Sequence, residues 1–310
     1  MRALRGVRLA LPVKAAAKKP VTLGARKLVH ADAIEWLGAQ PDDSIHAVVT
    51  DPPYGVKEYE PSELALRGTG RGVWRLPPVI DEQPRSPLPR FTALSPRERD
   101  AIATFFRAWS AALVRPLRPG AHVFVAGNAF LSQLVFGAIV EGGLEFRGAV
   151  IRLVGTLRGG DRPKNAEKKF PHVTTLPRGC YEPWGIFRKP LPKGLTIGAC
   201  LQQWQTGALR DQRDGSEFRD VIPSERTPKR ERLIADHPSL KPQSFLRRLV
   251  WAALPLGEGA VVDTFMGSGS TLAAASAMGL ASVGVERSAD YFALARKAIP
   301  KLAALYPDDP

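Results

Sequence analysis

The apolar run Ile45-His46-Ala47-Val48-Val49-Thr50 stops on Asp51-Pro52-Pro53-Tyr54, and this junction constrains the fold more than any other stretch of the chain. The β-branched run predicts a buried strand. Paired prolines cannot continue a sheet ladder, so the chain must turn there and leave a carboxylate and a phenol ring at the strand's C-terminal end. Open α/β sheets bind their ligands at that end. Taken alone the tetrapeptide also suits an ordinary strand-ending turn. A second strand with a turn behind it, Val261-Val262-Asp263-Thr264-Phe265-Met266-Gly267-Ser268-Gly269-Ser270, shifts the reading toward a site.

Between these points short β-branched runs alternate with amphipathic stretches and no repeat is visible, which predicts a mostly parallel sheet covered by helices. Strands are expected at 27–30, 121–126, 149–154, 260–264 and 281–285, with 182–188 able to pair antiparallel to 149–154. Ser95-Pro96-Arg97-Glu98 combines an N-cap, a proline at the first helical position and a capping-box acid, opening a helix to about Val114. Further helices are expected after Asp32, over 130–140, from Pro242 to Leu254, over 270–278 and over 291–299 with Ser288 as N-cap.

The organisation expected from this pass is a flexible basic arm over 1–27 and a catalytic half over 28–155 containing a mobile loop, 56–90. A basic insertion over 156–180, a sheet strand over 181–189 and a target-recognition module over 190–236 follow. A cofactor-binding half over 237–303 and a tail over 304–310 complete it. The loop 56–90 is rich in Pro, Gly and Arg and too long for a passive connection, which marks it as a lid.

A formal net charge of +14 over 310 residues favours a polyanionic partner, most simply nucleic acid. Cys180 and Cys200 are the only cysteines, with no CxxC and no histidine cluster, so neither a disulfide framework nor a metal site is expected. The N-terminal stretch has basic residues and an apolar patch broken by Pro12, unlike a secretory signal. No apolar run is long enough for a membrane span, and a cytoplasmic, nucleoid-associated protein is expected.

The glycine turn narrows the ligand. A strand, a Gly-x-Gly turn and a helix allow backbone amides to approach a nucleotide closely. A dinucleotide site would place a third glycine where Leu272 stands, and a phosphate-binding loop would need Gly-Lys where Gly269-Ser270 stands. Glu286 ends the next strand at the distance suited to ribose hydroxyls. A ribose-bearing ligand without a pyrophosphate fits, and S-adenosylmethionine is such a ligand.

Together these stretches resemble the beta-class amino-methyltransferases of DNA, in which the catalytic tetrapeptide precedes the cofactor turn. The residues carrying the resemblance are Leu28 to Ala33, Val48 to Gly55, His237-Pro238-Ser239-Leu240-Lys241-Pro242, Val262 to Thr271, and Val283-Gly284-Val285-Glu286. The resemblance implies a Rossmann-like α/β fold dependent on S-adenosylmethionine, of about seven strands, circularly permuted so that both chain ends build one sheet. It places Asp32 with Ala33 near the cofactor adenine, Phe265 against that ring, and Gly267, Ser268, Gly269 and Ser270 along its sugar and methionine. It further places Asp263 beside that turn, Glu286 on the ribose, and His237 with Lys241 at the methionine moiety, Lys241 as partner of its carboxylate.

The tetrapeptide Asp51, Pro52, Pro53 and Tyr54 is expected to hold the target amine beside the cofactor, with Asp51 also expected among the cofactor-binding residues. An exocyclic base amine is a weak nucleophile, so the Asp51 carboxylate and the Pro52 carbonyl would draw out its hydrogens while Tyr54 stacks on the base. Within a duplex the base must be flipped out. Asp as first residue resembles adenine-N6 enzymes more than cytosine-N4 enzymes. RNA-base or protein-glutamine methyltransferases usually show Asn there and the reverse motif order, and a catalytically dead DNA-binding module would not need an intact Asp51, Gly267 and Glu286. Arg158, Arg162, Lys164, Lys168 and Lys169 are the expected phosphate contacts to double-stranded DNA. A homodimer and a cognate restriction enzyme are further partners compatible with the resemblance.

Overall fold

A computed structural model of the chain describes residues 21–54, 94–159 and 168–306, with short pieces at 65, 79–80, 83–86, 163 and 165–166. Most of the expected arm, most of the loop 56–90 and the last four residues lie outside the described residues. The strands are β1 (Val21–Leu23), β2 (Arg26–His30), β3 (Ile45–Thr50), β4 (Val79–Ile80), β5 (Gln83–Ser86), β6 (Leu117–Ala126), β7 (Glu145–Gly159), β8 (Arg178–Arg188), β9 (Val221–Pro223), β10 (Ala260–Asp263) and β11 (Ala281–Glu286). The helices are α1 (Ala33–Gly38), α2 (Pro96–Val114), α3 (Ser132–Glu141), α4 (Ile197–Trp204), α5 (Lys229–Ile234), α6 (Gln243–Ala253), α7 (Ser270–Ala277) and α8 (Ala289–Ala303).

These strands join one sheet in the order β1-β2-β11-β10-β3-β6-β8-β7-β5-β4, with β9 beside β7. The expected strands occupy its centre, and β1, β4, β5 and β9 are short additions. Strands β2, β11, β10, β3 and β6 run parallel, whereas β8 is antiparallel to both β6 and β7. The first long strand, β2, pairs with the last, β11, so the two chain ends build one sheet as the permuted order requires.

Register decides where the site falls. Val48 of β3 lies opposite Val262 of β10 and Val123 of β6, and His30 of β2 lies opposite Glu286 of β11. The segments following β2, β11, β10 and β3 therefore leave the sheet side by side at its C-terminal edge, where α/β sheets place ligands.

Alternation along the strands supplies both faces with apolar groups. Ala47, Val49, Phe124, Ala126 and Trp184 pack with Phe245, Leu249 and Val250 of α6 and Ala274 of α7. Val48, Val123, Val125 and Val262 pack on the opposite face with Leu37 of α1, Phe106, Trp109 and Leu113 of α2, and Val135 and Ile139 of α3. Each fully buried aliphatic or aromatic side chain contributes roughly 1.5–3 kcal/mol. Helix α2 starts as its sequence predicts, with the Ser95 and Glu98 capping box closed and Pro96 in the first turn.

Several boundaries differ from expectation. Strands β7 and β8 reach beyond 149–154 and 182–188, because the antiparallel ladder resumes after a register shift and pairs Arg158 with Gly179. The ends of the basic insertion are thus sheet, not loop. Within the segment 190–236, Val221 to Pro223 pair with Ile151 to Leu153 of β7, and Ile222 enters the core with Phe218 against it. One buried apolar residue between two exposed neighbours gives too weak an alternation to mark β9 in a polar stretch. Helix α8 likewise runs past the expected 291–299, to Ala303.

Candidate active site

The end of β3 carries a buried chain of charges. Lys241 Nζ lies 2.7 Å from Asp51 Oδ2 and 3.0 Å from Glu182 Oε1, so one ammonium joins two carboxylates. Glu182 Oε2 accepts from Arg152 Nη1 at 2.8 Å, and Arg152 also donates to Ser224 Oγ at 3.0 Å and to the Glu225 carbonyl at 2.7 Å. The side chains of Lys241, Asp51 and Glu182 are 10%, 14% and 16% exposed, which places these charges in a region of low dielectric.

Burial pushes the Asp51 carboxyl above its ordinary range, with Lys241 opposing the shift and Glu182 adding to it. Burial acts on Glu182 in the same sense, but Lys241 and Arg152 together outweigh it and hold that carboxyl below its usual value. Burial disfavours the Lys241 ammonium, yet Asp51 and Glu182 more than compensate and keep it charged. Asp51 Oδ1 is buried and has no hydrogen-bond partner among the described residues. Pro52 is buried behind it, Pro53 is exposed, and Tyr54 is half-buried at the edge of the core containing Phe106 and Trp109.

A second buried carboxylate ties the two motif strands together. Thr50 Oγ1 donates to Asp263 Oδ1 at 2.6 Å, and the same oxygen accepts from Phe265 N at 3.1 Å. Burial raises the Asp263 carboxyl to about 6 against the hydrogen bonds from Thr50, Thr271 and Phe265. Trp109 Nε1 donates to Thr264 Oγ1 at 3.2 Å, and the Phe265 ring lies 5.9 Å from Trp109 and 6.1 Å from Phe105. Phe265 is thus braced by two aromatic rings and remains partly buried.

The glycine turn follows directly. Gly267 and Gly269 adopt φ of +52° and +86°, and a Cβ on Gly269 would meet Ile299 Cγ1 at 2.4 Å. Glycine is therefore required there by both conformation and space. Glu286 binds the turn through Oε2, which accepts from Gly267 N at 2.8 Å, while Oε1 accepts from Ser288 N at 2.7 Å. Ser268 and Ser270 are buried, and Ser270 opens α7 with its carbonyl held by Gln243 Nε2 at 3.0 Å.

The neighbouring strand supplies Asp32, which caps α1 through Oδ1 by accepting from Ile34 N at 2.9 Å and Glu35 N at 3.3 Å, with buried Ala33 as the first helical residue. The Ala31 amide donates to the Glu286 carbonyl at 3.2 Å, setting Asp32 beside Glu286. A Cβ on Gly267 would reach His237 Nε2 at 3.0 Å, so the His237 ring lies closely against the turn. The His237 ring packs 4.5 Å from Tyr291, its Nδ1 accepts from Ser239 N at 3.2 Å, and burial with Lys241 nearby favours its neutral form.

Sequence reasoning brings Asp32, Asp51, Asp263, Phe265, Gly267, Gly269, His237 and Glu286 to one edge, and the structure gathers them there. Lys241 is joined to two protein carboxylates, Asp51 and Glu182, which leaves one of its three N–H donors for a further acceptor. Arg162, Lys164 and the Arg158 side chain lie outside the described residues, whereas Lys168 and Lys169 are exposed, Lys169 over the Phe170 ring at 5.5 Å. Sequence reasoning misses Glu182, Arg152 and Thr50. An acid opening the apolar strand stretch Glu182-Pro183-Trp184-Gly185-Ile186-Phe187 is the available signal, because a charge so placed needs a partner.

Among the described residues no group of His, Cys, Asp or Glu could hold a metal ion, and no helix is long and apolar enough to cross a membrane. Residues 160–297 match the N6/N4 methyltransferase family, described as DNA methylase. The Type II methyltransferase M2.DpnII of Streptococcus pneumoniae is 22% identical over 272 residues, 87% of this chain and 88% of that protein. The solved structure of TTHA0409 from Thermus thermophilus with S-adenosyl-L-methionine aligns with a TM-score of 0.54 at 18% identity, covering 89% of this chain and 93% of that one. The cytosine-N4-specific PvuII DNA methyltransferase aligns with a TM-score of 0.55 at 13% identity, covering 92% and 93%. These structures share the fold of this chain, the α/β fold of S-adenosylmethionine-dependent methyltransferases. Over residues 160–297 the chain is thus similar to DNA methylases of the N6/N4 type, and over most of its length to type II DNA methyltransferases and to a protein solved with S-adenosyl-L-methionine bound.

Proposed function

We propose that the chain methylates the N6 amine of adenine in duplex DNA, with the target base flipped into the groove between the ends of β3 and β10. The observation that carries this reading is the unpaired carboxylate oxygen Asp51 Oδ1, at the same sheet edge as the left-handed glycine turn. A buried acceptor left without a partner is costly unless a ligand completes it. The N–H of a base amine is such a ligand.

The residues present fit S-adenosylmethionine. The left-handed glycines let backbone approach the ligand, Phe265 offers a braced ring for the adenine, and the Asp32 and Glu286 carboxylates stand together for hydroxyl and amine groups. Both Glu286 oxygens already bind backbone amides, but each retains a second lone pair. The cofactor supplies an electrophilic methyl group on a sulfonium sulfur.

The chain's own contribution is positioning. Asp51 Oδ1 and the Pro52 carbonyl accept the two amine hydrogens, drawing the nitrogen lone pair out of conjugation with the ring, and Pro53 fixes the direction of that carbonyl. Tyr54 stacks on the extruded base. Lys241 fixes Oδ2, so Asp51 cannot rotate away as the amine nitrogen gains positive charge. Holding both reactants in register supplies much of the rate.

Purified protein with labelled S-adenosylmethionine and three acceptors tests the reading: duplex DNA, DNA lacking adenine amines, and RNA. Methylated adenine in the duplex alone supports it. N4-methylcytosine instead would correct the base, and methylated RNA with unmodified DNA would replace the substrate class.

A further inference from the structure

Three of the four carboxylate oxygens in the buried pair Asp51 and Glu182 are engaged, and the fourth is the one the proposed chemistry needs. Glu182 Oε2 is taken by Arg152 at 2.8 Å, Glu182 Oε1 by Lys241 at 3.0 Å, and Asp51 Oδ2 by Lys241 at 2.7 Å. Lys241 therefore sits between two anions. We propose that Glu182 is a positioning residue: by sharing the Lys241 ammonium it keeps that ammonium on Asp51 Oδ2 and off Oδ1, reserving Oδ1 for the target amine. The proposal rests on the amine-methylation reading above and deepens it.

The physical argument is one of competition. An ammonium buried with a single carboxylate moves toward both of its oxygens, because nothing else in a low-dielectric pocket offers comparable attraction. Glu182 offers that attraction from the far side. It is itself anchored by Arg152, whose Nε and Nη2 are held by Ser224 Oγ and the Glu225 carbonyl, so the carboxylate cannot follow Lys241. The two acids and two bases balance, and the arrangement can be buried without a net charge.

The strand placement supports a built site. Glu182 and Arg152 are directly paired across β8 and β7, so their side chains share one face of the sheet, the face that packs against α6. Arg152 stacks over Phe245 of α6 at 5.5 Å, and Lys241 comes from the segment immediately before that helix. The charged groups around Asp51 are Lys241, Glu182, Arg152 and Asp263, with Tyr54 and His237 beside Lys241.

The test compares wild type with Glu182→Gln and Glu182→Asp, reading kcat, KM for DNA, cofactor affinity and the pH dependence of kcat. Glu182→Gln lowers kcat by about tenfold or more, short of what removing a group that touches the reacting atoms costs. Cofactor affinity stays within about twofold. The decisive readout is the acid limb of the profile: removing the Glu182 charge makes Asp51 easier to ionise, so the limb moves to lower pH while the plateau falls. A packing defect lowers the plateau without that movement.

Glu182→Asp keeps the charge and restores the acid limb with part of the rate, and it carries the decision if the Gln variant folds poorly. An unchanged kcat in Glu182→Gln, or a reduced kcat with an unmoved limb in both variants, overturns the proposal. A wild-type protein that methylates no DNA would instead overturn the function reading, so the two failures are distinct.

Discussion

The Thr50 hydroxyl donates to Asp263 Oδ1 across 2.6 Å, joining the last residue of the strand that leads into Asp51 to the last residue of the strand that leads into the glycine turn. These two residues lie 213 positions apart in the chain, yet one buried hydrogen bond sets the spacing of the motifs they precede. Asp263 also accepts from Phe265 N, so the same carboxylate shapes the turn that follows.

That carboxylate gives a pH prediction. Its folded value, about 6, is raised above the ordinary value of 3.8, so the native state holds a proton that the unfolded chain releases over this interval. The contribution of Asp263 to stability is most favourable below the lower value, is lost as pH rises, and reaches its full penalty above the folded value. Asp263→Asn cannot titrate. Denaturant unfolding should show the variant gaining on wild type by about 2 kcal/mol between pH 4 and pH 7, the order expected for a pKa raised by about two units. A difference that stays constant with pH would contradict the assignment.

The Glu286 carboxylate binds Gly267 N and Ser288 N, and its remaining lone pairs are proposed to receive the cofactor ribose. Glu286→Gln keeps a neutral acceptor and much of the turn geometry but loses the charge. Calorimetric titration should show S-adenosylmethionine affinity reduced by about 1.5–3 kcal/mol. Unaltered affinity in a variant with a normal melting profile would remove Glu286 from the cofactor site.

The interior of this fold is legible in the sequence because burial imposes period two on strands and punctuation on helices. Val48 and Val49 face opposite cores, and Ser95 with Glu98 closes the capping box that their spacing implies. The candidate site residues are legible where they end or follow a strand, as Glu286 ends one and Asp32, Asp51 and Phe265 follow theirs. Glu182, Arg152 and Lys241 are not legible as a group, since their association depends on β7, β8 and the approach to α6 meeting in space. Strand β9 is hidden because only Ile222 of its three residues is buried.

The basic insertion yields a prediction about salt. Neutralising Arg162, Lys164, Lys168 and Lys169 together should flatten the dependence of DNA binding on salt concentration. Each lost phosphate contact reduces the logarithmic slope by about 0.9. Fluorescence anisotropy across a salt series measures this, and a slope identical to wild type returns these residues to a solvated surface.

The central claim is that Asp51 acts on an adenine amine and not on the cofactor. The direct measurement is the N6-methyladenine content, by mass spectrometry, of DNA from a methylation-free host expressing either wild type or Asp51→Ala. N6-methyladenine with wild type, and a fall of about two to three orders of magnitude in rate with a variant that still binds S-adenosylmethionine, is the predicted result. Equal methylation by Asp51→Ala, or DNA free of N6-methyladenine with wild type, would contradict the account.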